Sequence, residues 1–234
     1  MTPTIHRVTT LDLVVEDWRW PFADQRRDQI DAHFAQQRAA NPALWNGRVF
    51  LARNPRVQDD TFSAHAFQTD FASFLAWRDW GFPDSTVINA FGMGALRGSD
   101  GGFVLGEMAA RTSNAGRIYF PAGTPDLNDI SDGRVDIAGS VAREVEEETG
   151  LTPSDYTAGD SWYCVSVPAM TALIRVLDMP CPADEICNRI ETHLKTQAKP
   201  ELRAAVVVRH ASDIVPAVPS FVAAFITAYS GNAA

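Results

Sequence analysis

Apolar positions along the chain switch between a spacing of two and a spacing of three to four, and the switches divide the sequence into elements. The β-branched and aliphatic run HRVTTLDLVV (6–15) predicts a strand. ADQRRDQIDAHFAQQRAAN (23–41) is rich in helix formers and sets Ile30 and Phe34 four apart, which predicts a helix ending at the breakers of NPALWNG (41–47). GRVFLARN (47–54) follows, DTFSAHAF (60–67) predicts a strand, and TDFASFLAWRDWGF (69–82) predicts a helix with Phe71, Phe74 and Leu75 around its faces. Residues 1–84 are therefore expected to form a small α+β unit, with a soft boundary after GFPDST (81–86).

From Thr86 the texture changes. VINAFGMGAL (87–96) and GGFVLGEM (101–108) are short apolar runs around the Gly-rich RGSDGG (97–102), a hairpin signature. RIYFPAG (117–123) predicts a strand ending in a turn, and DSWYCVSVPAMTALIRVL (160–177) one or two strands. PADEICNRIETHLKTQ (182–197) predicts a helix with Ile186, Ile190 and Leu194 at four-residue spacing. ELRAAVVVRHAS (201–212) then predicts a strand and VPSFVAAFITAYS (218–230) a final helix. Strands grouped around one acidic helix, with another helix at the end, predict an α+β fold over 85–234, its mixed sheet packed between helices.

Composition and charge narrow the function classes. With 46% hydrophobic and 21% charged residues, the 234-residue chain reads as an ordinary globular protein. A net charge of −9 repels a phosphate backbone, so no nucleic-acid partner is expected. Small anionic substrates stay compatible if divalent cations mask the charge locally. Cys164, Cys181 and Cys187 are an odd number without the spacing of a zinc site, which fits a reducing cytoplasm. The opening MTPTIHRVTTLDLVVEDWRW carries Asp12, Glu16 and Asp17 and lacks the apolar core of a leader, and no run reaches the roughly 18 apolar residues of a membrane span. A soluble cytoplasmic chain without a membrane partner is expected.

The densest charge is AREVEEETGL (142–151). At about 100° per residue, Glu144, Glu147 and Glu148 share one helix face while Glu146 points away. Like charges three and four apart destabilise a helix by a few tenths of a kcal/mol per pair, unless a cation compensates. Mg²⁺ takes hard oxygen ligands and is commonly shared between carboxylates and substrate phosphates. Taken alone, the run is an ordinary solvated helix face. Gly150 supplies a C-terminal position tolerant of positive φ, and Leu151 an apolar closure.

Arg143, Glu144, Val145, Glu147, Glu148, Gly150 and Leu151 resemble the second half of the Nudix hydrolase signature, G-x5-E-x7-R-E-U-x-E-E-x-G-U with U a bulky aliphatic. Upstream, YFPAG (119–123) looks like the family's Pro-Gly-Gly turn, with Gly123 as the matching glycine. The resemblance spans roughly residues 86–230. Its first half departs from the pattern, because 19 residues separate Gly123 from Arg143 where the signature has 13, a six-residue insertion. Counting back from Arg143, the motif glutamate position holds Val135, with Asp136 displaced by one. Asp136 is expected to cap the helix or to replace the missing glutamate.

The resemblance implies a Nudix-type α/β/α sandwich with a mixed sheet, and hydrolysis of a diphosphate linkage by water attack at phosphorus with Mg²⁺ or Mn²⁺. It makes Glu144 and Glu148 metal ligands and Glu147 a third ligand or the base that orients water. Arg143 is expected to hold a glutamate through a bidentate pair, and Gly123 to lend backbone to the metal cluster. Phe120, Ala122 and Asp136 are the expected substrate contacts, and Glu201, opening ELRAAVVV, is the candidate base by position.

NPALWNGRVFL (41–51) is similar to a segment ahead of the hydrolase domain in family members that cleave UDP-sugars, and a large N-terminal region is similar to that of coenzyme A diphosphatases. The expected substrate is a small molecule, a nucleoside diphosphate linked to a sugar or another group. The N-terminal unit then forms one wall of the pocket or a homodimer contact. Coenzyme A and diphosphoinositol compounds stay open, as does a nucleotide-binding or sensing module that has lost turnover. The six tryptophans read as core or interface, Gly92, Gly94, Gly98, Gly101 and Gly102 as hairpin glycines, and Cys164 as a small buried hydrophobe. The five histidines show no catalytic or zinc spacing.

Overall fold

The computed structural model of the chain describes residues 2–231. Its first part holds β1 (Thr4–Val8), β2 (Thr10–Val15), α1 (Pro21–Gln25), α2 (Arg27–Ala40), β3 (Arg48–Gln58), β4 (Thr61–Asp70) and α3 (Phe71–Asp79). Then come β5 (Val87–Arg97), β6 (Phe103–Met108), and the short β7 (Ile118–Tyr119), β8 (Ala122–Gly123), β9 (Ile130–Ser131) and β10 (Arg134–Val135). The acidic helix α4 (Ile137–Thr149) precedes the hairpin β11 (Thr157–Val167) and β12 (Met170–Asp178), and α5 (Ala183–Leu194), β13 (Leu202–Val208) and α6 (Ser220–Gly231) complete the fold.

β5 is the axis. Along one side it pairs in parallel with β12, from Asn89 opposite Met170 to Arg97 opposite Asp178. Along the other it takes three partners in turn: β3 at Val87 and Ile88, β8 at Gly92 and Met93, and β6 at Leu96 and Arg97. The sheet continues through β11 to β1 on one side and through β4, β2 and β10 to β9 on the other, while β13 pairs with β6.

A strand covered on both faces needs no polar alternation, and β5 is buried along nearly its whole length. Ala90 and Leu96 join the core under α4 and α5, which contribute Ile137, Val141, Val145, Ile186 and Ile190. Phe91, Met93 and Ala95 face the opposite layer, where α6 lays down Phe221, Val222, Phe225 and Ile226. This is the expected α/β/α sandwich with a mixed sheet. A third cluster, around Trp20, Phe67 and Trp77, fills the space between the N-terminal helices and strands.

Besides β3 against β5, two strand pairings cross the expected boundary between residues 84 and 85. The run 6–15 is two strands, not one, because its halves join different neighbours: β1 pairs with β11, and β2 pairs with β4. In return, Arg134 of β10 pairs with Val14 of β2. An unpaired strand edge leaves N–H and C=O groups without partners, and each part covers an edge of the other. Val8, Leu13, Phe50 and Phe62 accordingly share a core with Leu96 and Leu173. No helix among the described residues is long and apolar enough to cross a membrane.

Candidate active site

The acidic helix is held at both ends. The Asp136 carboxylate accepts from the Gly139 N–H at 2.9 Å, so Asp136 is the N-cap. Gly150 ends the helix at φ 72° and Leu151 is buried behind it. Its apolar stripe lies directly on β5, since a Cβ at Gly92 would come within 2.6 Å of Val141 and one at Gly94 within 2.6 Å of Val145. These two glycines serve helix packing, not the hairpin turn expected of them.

Arg143 is a hub for three carboxylates. Its Nη2 donates to both oxygens of Asp129, at 3.0 and 3.1 Å. Its Nη1 lies 2.9 Å from Glu144 and 3.4 Å from Glu147. Burial works against the guanidinium charge, but Glu144, Asp129 and Glu147 outweigh it and hold the arginine above its ordinary pKa.

Asp129 corrects the reading of the motif. It stands six positions after Gly123, the place of the glutamate in G-x5-E when the count runs forward from the glycine. The extra residues lie beyond it, in the β9–β10 hairpin that turns at Asp132 and Gly133 with φ of 49° and 72°. Val135 is a buried strand residue of that hairpin and Asp136 is a cap, so neither replaces the glutamate. Asp136 is also not among the residues lining the cavity described below, contrary to the expected substrate contact.

Glu148 is 4% exposed, and the backbone at Ala122 favours its charged form. Burial pushes its pKa well up, and the nearby charges of Glu144 and Glu201 push it further. Burial likewise raises Glu144 to about 7, opposed by Arg143 and reinforced by Glu147 and Glu201. The ion pair thus strengthens the arginine without bringing Glu144 down, because desolvation of this carboxylate is the larger effect. Glu144 packs so tightly on the turn that a Cβ at Gly123 would overlap its carboxylate. Glu147 is the most open of the three, its side chain 61% exposed, and Glu146 points to solvent as expected. Among the described residues no three His, Cys, Asp or Glu side chains form a ready metal-binding cluster.

Glu144, Glu147, Glu148 and Glu201 line one cavity of about 900 Å³ together with Ala122 and Gly123. Arg78, Arg111 and Arg117 also line it, and the N-terminal part adds an aromatic wall of Trp45, Phe71, Phe74 and Phe82. Phe120, expected as a substrate contact, is instead fully buried between Phe103 and Phe225, at ring-centroid distances of 5.6 and 5.8 Å. Successive strand residues face opposite ways, and it is the neighbouring Tyr119 that reaches the cavity.

Three solved structures align with this chain over 62% of its length. They are the MutT protein from Methanosarcina mazei Go1 (18% identity, 95% of that chain, TM-score 0.39), the Nudix hydrolase RenU from M. smegmatis (16%, 84%, 0.40) and a NUDIX hydrolase from Nitrosomonas europaea (16%, 90%, 0.39). No family model matches the chain, and no curated protein matches it.

The site and its surroundings contain residues that sequence patterns did not single out. Asp129 could have been found by counting forward from Gly123. Trp45, 80% exposed at the cavity and resting on Gly47, is not core, one of the two roles, core or interface, expected of the tryptophans, and its place between the breakers Asn41-Pro42 and Asn46-Gly47 was the available signal. Asn89, Arg78 and Arg117 had none, since a single polar residue in an apolar run, or an arginine on a helix or loop, carries no spacing.

Proposed function

We propose that the chain is a Nudix-type, metal-dependent hydrolase of a diphosphate linkage in a nucleoside diphosphate-X compound, with a sugar as one choice of X, acting in the cytoplasm. One observation carries this: four glutamates and the Gly123 turn line a cavity that also carries three arginines and an aromatic wall. The carboxylates are hard oxygen donors, two of them too buried to ionise comfortably without a cation, and a glycine at 123 leaves room for Glu144 against the turn. Glu144 and Glu148 would hold Mg²⁺ or Mn²⁺, with Glu147 as a further ligand or as the base. When bound, such ions neutralise phosphate charge and lower the pKa of water.

The chain's own groups do the rest. The backbone at Ala122 favours the charged form of Glu148, and Arg143, anchored on Asp129, sets the direction of Glu144 and Glu147. Glu201, just ahead of β13, lines the same cavity and would take a proton from water at phosphorus. Arg78, Arg111 and Arg117 offer charged donors for phosphate oxygens.

A panel of diphosphate compounds with Mg²⁺ or Mn²⁺ tests the reading. Glu148→Gln is expected to lower kcat on the order of a hundredfold or more while the fold is retained. A nucleotide-sensing module is the second reading, favoured by Arg143 already engaging two of the glutamates. Binding that needs no metal, gives no product and is unchanged by Glu148→Gln would overturn the enzyme in its favour.

A further inference from the structure

Asn89 is a polar residue in an apolar row. On β5, Val87, Asn89, Phe91, Met93 and Ala95 share one face, and the other four are buried apolar side chains. Val87 belongs to the N-terminal cluster and Phe91 to the cluster under α6, so Asn89 stands where the two meet. It is 6% exposed and lines the cavity. Its Nδ2 donates to the Thr124 hydroxyl at 3.3 Å, while its Oδ1 is buried without a hydrogen-bond partner among the described residues.

That orphan atom differs from the other buried polar atoms without hydrogen bonds. Those belong to Asp12, Glu16, Arg27, Arg53 and Arg143, all of them members of ion pairs. Asn89 has no such compensation, and a buried amide end left unpaired is unfavourable unless something that enters the cavity completes it. Turning the amide over exchanges which end meets Thr124 and still leaves the other end unpaired.

We infer that Asn89 is the recognition residue for a nucleobase seated against the aromatic wall of the cavity. The proposal rests on the nucleotide-substrate reading above and deepens it. An asparagine amide reads base edges by hydrogen bonding, and a base presents a planar face that stacks on aromatic rings. Trp45, Phe74 and Phe82 supply such rings in the same cavity. Through Thr124 the amide is joined to the residue that follows Gly123, so the base site adjoins the turn beneath the glutamates.

The test is equilibrium binding to the full chain with Mg²⁺, by titration calorimetry. The probes are AMP, GMP, CMP and UMP, with ribose 5-phosphate as the base-free control. At least one nucleotide is expected to bind about ten- to a hundredfold tighter than ribose 5-phosphate, the range set by a buried hydrogen bond together with stacking. Asn89→Ala is expected to remove most of that preference and to leave ribose 5-phosphate binding and the melting temperature unchanged. Asn89→Ser repeats the comparison in a chain that keeps a small polar side chain. Equal affinity for all five probes, or a base preference that survives both substitutions, overturns the proposal. No turnover is required, so an intact base preference without metal-dependent hydrolysis would sink the hydrolase reading and leave Asn89 in its role.

Discussion

The guanidinium of Arg143 serves three carboxylates, and the most deeply buried of them is Asp129, its side chain 2% exposed. Removing its charge weakens two charged hydrogen bonds to a guanidinium that keeps Glu144 and Glu147, which costs on the order of 2 kcal/mol. Asp129→Asn is therefore expected to lower stability by about that amount in urea unfolding, and to lower activity by releasing the arginine. Asp136→Ala should act differently. Loss of an N-cap costs about 1 kcal/mol, and kcat/KM should be unchanged because Asp136 caps α4 away from the cavity. A raised KM in Asp136→Ala would return that residue to the substrate. The two aspartates show what the sequence could and could not reveal at this scale. The second half-motif was legible residue by residue, because a helix has a fixed period. The first half was not, because a count across an insertion depends on which end it starts from.

At the scale of the element, α4 carries two carboxylates that burial holds above their ordinary range, Glu144 at about 7 and Glu148 higher than its ordinary value. A carboxylate with a raised folded pKa binds its proton more tightly in the folded than in the unfolded chain. Stability in metal-free buffer must then fall as pH rises from 4.5 toward 7 and beyond, by roughly 3 kcal/mol for the Glu144 shift, with Glu148 adding in the same direction. Asp70, Asp84 and Asp155 shift the opposite way, but their stabilisation is lost only as pH falls below about 4, outside this window. Urea unfolding at pH 5 and pH 8 checks the sign, and Glu144→Gln should flatten the difference. The other elements were mostly visible in their periodicity. The β9–β10 hairpin was hidden, although its Asp-Gly turn is a strong hairpin signal, because each of its strands is two residues long and shows no alternation.

Across the whole molecule, helices on both faces of a mixed sheet followed from the order of apolar runs. The exchange of strands between the two parts did not, since a strand's own pattern shows which face is buried and not which neighbour it joins. Residues 85–234 expressed alone would leave β11 without β1 and the β9–β10 hairpin without β2. That fragment is expected to lack the single cooperative thermal transition of the full chain, and circular dichroism with dye binding would register the exposed apolar surface. A sharp, dye-silent transition in the fragment would mean that the shared core around Val8 and Leu13 is dispensable.

The pairing of β1 with β11 also sets an order in time. Thr4 lies opposite Ser166 and Val8 opposite Trp162, so β1 leaves the ribosome about 150 residues ahead of its neighbour β11. At about 5–20 residues per second that interval is roughly ten to thirty seconds. A strand made before β11 is then docked only after it, and through that interval the growing chain carries an unsatisfied strand that a chaperone, or another copy of the same chain, can reach first.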